Sequence, residues 1–489
     1  MTTAEQTGLQ ASRSRPVVAL TGASGYIGRH LLEKLRPDFS LIALSRQADP
    51  SRSEPGVEWR RGDFFSQEQA AEALRGADVA IYLIHSMMPS AKLTQGSFED
   101  MDAILAVHFA RAAAGCGVRQ IVYLSGMIPP DVPPEKLSRH LRSRLEVERI
   151  LGSYGVPVTT IRAGLIVGPE GSSFPILSKL VRRLPVMILP SWTRTPTHPI
   201  ALSDILNSIT AAIGKPEAMG RAVDAGGPDR MSYQDLLRET AAVMGLRRWM
   251  IPFPFPTVKL SRLWISLVAG APKEIAYPLV ESLAHPMVSQ RRHEIAGLSD
   301  GRISYREAAA DALRQEEELK RQKGKGAGKS GASRKPAAKA DVRSVQRFRL
   351  QPGQDAHWAG EHYLTWLGSA FQPLIRAERG ERGEVSMRLF PLRRPLLELR
   401  HAEARSTPHR STYRIAGGRF AHAEEGDDGR LEFLQLPESR DCLAAIHDYR
   451  PALPWFLYKY GQAKAHLLVM RLFGRHLRAL ARKRPEEAE

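Results

Sequence analysis

Thr21-Gly-Ala-Ser-Gly-Tyr-Ile-Gly28 is the stretch whose reading decides the fold of the first part of this chain. The apolar run Pro16-Val-Val-Ala-Leu-Thr21 precedes it, and Tyr26-Ile-Gly-Arg-His-Leu-Leu-Glu-Lys-Leu35, with apolar residues at helical spacing, follows. The order is strand, tight turn, helix. Glycine at 22, 25 and 28 meets three separate demands: a sharp turn, close approach of backbone to a pyrophosphate, and helix N–H groups facing an anion. The spacing alone is a weak signal, but the strand before and the helix after agree with it. A merely tight strand-to-helix turn does not need three glycines so placed. The turn therefore predicts dinucleotide binding, with Gly22, Gly25 and Gly28 at the pyrophosphate and Tyr26 and Ile27 among the cofactor-binding residues.

Working outward, the alternation repeats: strands over 41–45, 79–84, 120–125 and 158–162, helices over 67–74, 98–115 and 139–154. Parallel strands need crossover connections, so this order predicts a doubly wound α/β fold with helices on both faces of a parallel sheet. An NAD-type site expects an acidic residue at the end of the second strand; here Ser45-Arg46 stands instead. Arg46, with Ser24, can pair with a 2′-phosphate, which selects NADP(H) over NAD(H), although a solvated arginine is the plainer reading. Asp63, in Arg61-Gly-Asp-Phe-Phe65, is placed for the adenine amino group, and equally for an ordinary turn. Leu83, near the end of the fourth strand, completes the expected cofactor set.

The chain has 489 residues, of which 43% are hydrophobic and 25% charged, so two or three folded domains are expected and disorder throughout is excluded. Seventy Lys and Arg against 52 Asp and Glu leave +18, which favours an anionic partner without naming it. Two distant cysteines, Cys116 and Cys442, exclude a disulfide framework and a cysteine metal site, and fit a reducing cytoplasm. Residues 1–15 lack the apolar core of a signal peptide and read as a tail, and no apolar run approaches the roughly 20 residues of a membrane span. Contact with an anionic membrane surface stays open. The expected organisation is a nucleotide-binding domain over 16–315, its substrate side beginning near 165, a basic flexible linker over 316–342, and an α+β domain over 343–484. The linker has no aromatic residues, so no specific nucleic-acid partner is expected.

With these residues assembled, the chain from about 16 to 315 resembles the short-chain dehydrogenase/reductase superfamily in its extended or atypical branch. The TGASGYIG turn, the Gly-Asp after the third strand, Val122-Tyr-Leu-Ser125, Ile161-Arg-Ala-Gly-Leu-Ile-Val-Gly-Pro169, Pro199-Ile-Ala-Leu-Ser-Asp204 and Gly226-Gly-Pro228 carry the likeness. Tyr82-Leu-Ile-His-Ser-Met87 and the stretch 137–144 resemble NAD(P)H-binding members akin to NmrA-like and complex I accessory-subunit-like proteins.

That superfamily's active members use Tyr-x-x-x-Lys on one helix, the lysine lowering the phenol pKa for proton transfer. The matching stretch here is His140-Leu-Arg-Ser-Arg144. Its i, i+4 spacing puts both side chains on one helix face. The resemblance implies His140 as the acid, Arg144 as an orienting cation that cannot itself titrate, and Ser125 as the substrate-orienting hydroxyl. Against it stand a binding-only protein that has kept the ligand and lost the reaction, and a merely basic helix start. His108 occupies the place where extended members often carry asparagine. His85 is read as a turn histidine, and Asp102 as a cap.

The last segment has strand-like stretches over 345–350, 385–390, 396–400, 412–415, 430–434 and 442–447, a helix over 355–371, and a long helix over 455–482 that is apolar on one face and basic on the other. An antiparallel sheet gripping the final helix is the simplest assembly. The order resembles a helix-grip, START-like domain, which implies a cavity for an apolar molecule such as a lipid, polyketide or quinone. The aromatics of 449–460 suit its rim, and suit core packing as well. Together these readings give an NADP(H)-dependent oxidoreductase transferring hydride to a small hydrophobic carbonyl or quinone-like substrate, or else a nucleotide sensor or assembly protein without turnover, or a hydrophobic-ligand binder through the C-terminal domain.

Overall fold

The computed structural model describes residues 15–86, 93–171, 173–253, 270, 273–325, 342–380, 384–392, 394–421 and 429–483. The chain divides into two compact units, Met1–Ile84 with His108–Lys329, and His85–Val107 with Ser330–Glu489.

The first unit is built on a parallel sheet of β1 (Val17–Thr21), β2 (Ser40–Ser45), β3 (Val57–Arg61), β4 (Val79–Tyr82), β6 (Gln120–Gly126), β7 (Val158–Ala163) and β12 (Ala222–Ala225). Its spatial order is β12-β7-β6-β4-β1-β2-β3. The chain winds one way from β1 to β3 and the other way from β4 to β12, so the order reverses between β1 and β4, where such sheets open a crevice at their carboxyl ends. Strands buried on both faces need apolar residues at every position, and Val18, Leu20, Ile81, Val122 and Ile161 meet that demand in the core. Helices α1 (Tyr26–Leu35), α2 (Gln67–Leu74), α3 (Phe98–Gly115) and α4 (Arg139–Gly152) supply the crossovers. The parallel α/β architecture expected from the alternation is the one observed.

Beyond β7 the Pro-rich stretch holds more order than its composition suggests. Three two-stranded ribbons form: β8 (Ile166–Val167) with β11 (Ile200–Ala201), β9 (Val186–Leu189) with β14 (Trp249–Pro252), and β10 (Pro196–Thr197) with β13 (Met231–Ser232). With α5 (Ser173–Arg183), α7 (Tyr233–Val243) and α9 (Tyr305–Lys325) they enclose a second apolar core around Phe174, Met187, Leu236 and Tyr305, while α6 (Leu202–Ala212) packs into the first sheet's core through Ile205 and Ile209 and α8 (Lys273–Ser282) meets the start of α4. Helix α9 runs on through residues 316–325, which the composition assigns to the linker. Residues 326–341 lie outside the described residues.

The second unit is an eight-stranded mixed sheet ordered β16-β17-β18-β19-β20-β21-β15-β5. Its strands are β5 (Leu93–Gln95), β15 (Val342–Arg349), β16 (Ile375–Arg379), β17 (Glu384–Leu389), β18 (Leu397–His401), β19 (Arg410–Gly417), β20 (Arg430–Gln435) and β21 (Asp441–Tyr449). All neighbours are antiparallel except β5, which adds to β15 in parallel through Leu93↔Val342, Arg343↔Thr94 and Ser344↔Gln95. Gln346 Nε2 donates to the Gln95 carbonyl at 3.2 Å, and Arg347 Nε to Asp100 Oδ1 at 2.7 Å, which fix this edge. Helix α10 (Ala356–Ala370) and the last helix, α11 (Ala463–Lys483), close over one face. The long helix expected from 455 is broken: Trp455–Leu457 is one short turn, Tyr458–Gln462 is wound as a π-helix, and α11 follows. The apolar side of α11, with Met470, Phe473 and Leu477, packs on Phe348, Tyr363 and Trp366. Docking on its own sheet is what that face does. Among the described residues no helix is long and apolar enough to cross a membrane.

Candidate functional site

The glycine turn sits at the point where the strand order reverses. Gly22 is in the left-handed region, φ +65°, and Gly25 N–H closes the turn on the Gly22 carbonyl at 2.8 Å. A Cβ on Gly28 would stand 2.1 Å from that same oxygen, so no other residue fits. Helix α1 begins at Gly25 with no side-chain cap and no acid in its first turn, and the partial positive charge of its N-terminus is left to an external anion. Thr21 ties the two strands at the crevice: its hydroxyl donates to the Ile81 carbonyl at 3.0 Å and accepts from Leu83 N–H at 2.9 Å. Leu83 is thereby held against Gly22.

At the end of β2 the Ser24 and Ser45 hydroxyls lie 3.1 Å apart, which puts Ser24 beside Arg46, an exposed residue. Gly62 N–H donates to the Ser45 carbonyl at 3.3 Å, so Asp63 follows directly on the same edge. Its carboxylate accepts from Phe65 N–H at 3.2 Å, the bond of a turn aspartate. Two members of the expected set turn inward. Ile27 packs into the sheet core, leaving only its backbone to the crevice. Tyr26 lays its ring on Gly168 and Gly171, where a Cβ on Gly168 would meet its hydroxyl at 2.1 Å, and burial pushes the phenol up to about 12. Beside it Arg29 pairs with Glu170 at 2.7 Å, a tether from α1 to the loop after β8 that the sequence did not signal.

Ser125 ends β6, next to β4 in the sheet. It is buried, and its hydroxyl finds no hydrogen-bond partner among the described residues. A desolvated, unpaired hydroxyl at a strand's carboxyl end is costly unless a ligand oxygen meets it. Tyr123, two residues earlier on the same face of β6, meets Arg144 of α4: Arg144 Nη1 is 3.5 Å from the phenol oxygen. The two residues expected on one helix face have different neighbours. Arg144 is buried against the strand, while His140, half-buried, turns to α8 and places Nδ1 3.3 Å from Ser282 Oγ. Ser282 also meets Ser138 Oγ at 2.9 Å and donates to the Pro278 carbonyl at 3.0 Å, and His285 Nε2 accepts from Ser138 N–H at 3.0 Å. Neither Ser282 nor His285 stands out in the sequence; only the packing of α8 on α4 brings them to His140. His108 is fully buried and bonds the Phe64 carbonyl through Nδ1 at 3.1 Å, a structural role. Asp102 accepts from both Ser86 N–H and its hydroxyl at 2.7 Å, as a cap does.

Comparison with known proteins agrees with this geometry: residues 22–179 match the family model described as NAD(P)H-binding. This stretch is similar to NAD(P)H-binding domains. Its likeness extends to the auxiliary protein GraX of Staphylococcus aureus (strain NCTC 8325 / PS 47), 35% identical over 30% of this chain and 43% of that protein. The chain thus spans less than half the length of that relative. Subunit 9 of the NADH dehydrogenase [ubiquinone] 1 alpha subcomplex, mitochondrial, of Mus musculus is 23% identical over 54% of this chain and 69% of that one. Ceramide reductase of Caulobacter vibrioides (strain NA1000 / CB15N) is 25% identical over 51% of this chain and 77% of its own. The residues of this stretch fit the dinucleotide: an uncapped helix end, a Gly28 that admits no side chain, and an unpaired buried hydroxyl one strand beyond the crevice.

Proposed function

We propose that the protein is an NADP(H)-dependent oxidoreductase acting on a hydrophobic carbonyl or quinone-like compound. The observation that carries this reading is the alignment, along one sheet edge, of the glycine turn, the Ser24–Ser45–Arg46 corner and the unpaired Ser125 hydroxyl. Gly22, Gly25 and Gly28 hold the pyrophosphate through backbone N–H groups, Ser24 and Arg46 the 2′-phosphate, Asp63 the adenine edge, and Leu83 the wall beside the glycine turn. A bound nicotinamide supplies hydride to a carbonyl or alkene carbon. Ser125 Oγ–H donates to the substrate oxygen. His140 then supplies the proton: with Ser282 donating to the Pro278 carbonyl, Nδ1–H donates to Ser282, and Nε2 is the nitrogen that exchanges a proton with substrate. Arg144 holds Tyr123 and adds a positive field, but takes no part in proton transfer.

A second reading, NADP(H) binding without turnover in a sensor or assembly protein, is favoured by one observation: the cation of the relay is an arginine, which cannot itself titrate, and it lies against a strand tyrosine. For the second unit we propose a helix-grip, START-like ligand domain. Its support is the strand order, which sets β15 beside the last strand β21, with α11 closing over the aromatic core. Phe456 and Tyr460 are exposed, as rim residues are, while Tyr458 is packed in the core.

Fluorescence titration with NADPH and NADH, followed by a panel of ketones, aldehydes and quinones, tests the proposal. NADPH is expected to bind more tightly, and oxidation to be lost in His140→Ala and lowered on the order of 100-fold in Ser125→Ala. Ser125→Ala should keep its melting temperature, because its hydroxyl has no partner to lose. Tight NADPH binding with no oxidation in any variant supports the sensor reading; no nucleotide binding overturns both.

A further inference from the structure

The ribbon formed by β9 and β14 breaks the rule that a surface strand alternates apolar in and polar out. Met187 and Leu189 point into the second core of the first unit, and Met250 packs against it. The opposite face should be polar. It carries Val186, Ile188, Trp249 and Ile251, with Phe253 just beyond, and all five are exposed: Trp249 at 74%, Ile188 at 59%, the others between 38 and 51%. The pairing is parallel, Val186↔Trp249 and Ile188↔Ile251, so the exposed side chains form one contiguous patch. Scattered apolar residues on a surface need no explanation, but five on one ribbon face mark an interaction site.

Charge names the partner. Because the strands are parallel, both are led into from the same end, and both leading segments are basic: Arg182 and Arg183 before Val186, Arg247 and Arg248 before Trp249. Arg248 donates from Nε to the Val181 carbonyl at 2.6 Å and from Nη2 to the Arg182 carbonyl at 3.2 Å, and so locks the end of α5 to the ribbon without an acid. Arg182 pairs with Glu316, Arg183 is exposed and also engaged within the protein, and Arg247 is exposed. An apolar, tryptophan-bearing face with arginines at one border is what a protein presents to an anionic lipid surface: the rings enter the acyl boundary and the guanidiniums meet phosphate. A second copy of this chain would bring the same arginines to the same face. We infer that the β9–β14 face docks the first unit on the surface of an anionic bilayer. The C-terminal helix is not needed for this, since its apolar side is already used.

The test is co-sedimentation of the full chain with phosphatidylcholine vesicles, with and without phosphatidylglycerol, in the absence of nucleotide, so that its outcome is independent of the nucleotide reading. Binding is expected only with phosphatidylglycerol, weakening as salt rises. Trp249→Ser with Ile251→Ser should lower it by at least tenfold, and Arg247→Glu on the order of fivefold. Phe390→Ser, an exposed aromatic of the second unit, should leave it unchanged. All these side chains are exposed or half-buried, and circular dichroism of each variant confirms the fold. Absence of binding overturns the inference, as does binding undiminished by the double variant. So does a dimer in sedimentation velocity that the double variant dissolves, which would assign the face to a second copy.

Discussion

Gly28 shows how a single residue can be dictated from both ends of the argument. The sequence asks for glycine because a phosphate must approach; the structure asks for it because a Cβ would stand 2.1 Å from the Gly22 carbonyl. Gly28→Ala should therefore cost about 1–3 kcal/mol of stability through a displaced turn. NADPH affinity should fall more than tenfold, read by calorimetric titration. His198 carries the opposite lesson, for nothing near it in sequence predicts its place. Its ring stacks where a Cβ on Gly226 would come within 2.4 Å; Nε2–H donates to the Gly227 carbonyl at 2.7 Å, and Nδ1 faces Ser289 N–H at 3.5 Å. Burial holds its pKa below the usual histidine range. The folded chain stays neutral there while the unfolded chain takes up a proton, so stability is full above about pH 6.5 and falls as pH drops below it. His285, lowered by burial as well, acts in the same sense. Unfolding midpoints measured from about pH 7.5 to 5.5 should decline, and decline less in His198→Asn.

Among elements, the strands of the first sheet were legible because burial on both faces leaves a near-continuous apolar run, and the helices between them because their faces alternate. Strand β16, Ile375–Arg379, was not legible: Ile-Arg-Ala-Glu-Arg is mostly charged, and only pairing with β17 makes it a strand. The central strands of the second sheet misled differently. Arg430 and Glu432 alternate along β20, the pattern of a solvated face, yet both are buried, as are Arg410 of β19 and His447 of β21. Arg410 Nε lies 2.5 Å from Glu432 Oε1, His447 Nε2 3.4 Å from Oε2, and Arg430 pairs with Asp448 at 2.9 Å. Glu432→Gln removes a buried charge that compensates Arg410 and should cost about 3–5 kcal/mol. Adding Arg410→Met should recover part of that loss in thermal unfolding.

At the scale of the whole molecule, the second unit is not contiguous in sequence: its edge strand, Leu93–Gln95, comes from within the stretch that precedes β6. Cutting the chain at a protease site introduced between Ser333 and Lys335 should therefore leave two fragments that copurify, held by the β5–β15 pairing. Thr94→Pro, which removes a backbone donor from that ladder, should let them separate on size exclusion. The sequence by itself determined what depends on neighbours along the chain: the strand–turn–helix of the nucleotide site, the parallel order of the first sheet, and the antiparallel run closed by a final helix. Each follows from periodicity or from a backbone conformation that only glycine allows. The tertiary structure alone decided which hydroxyl is left unpaired, that His140 faces Ser282 while Arg144 faces Tyr123, which charges are buried, and which apolar ribbon is left bare. Those are properties of burial, and burial is set by residues far away in the chain.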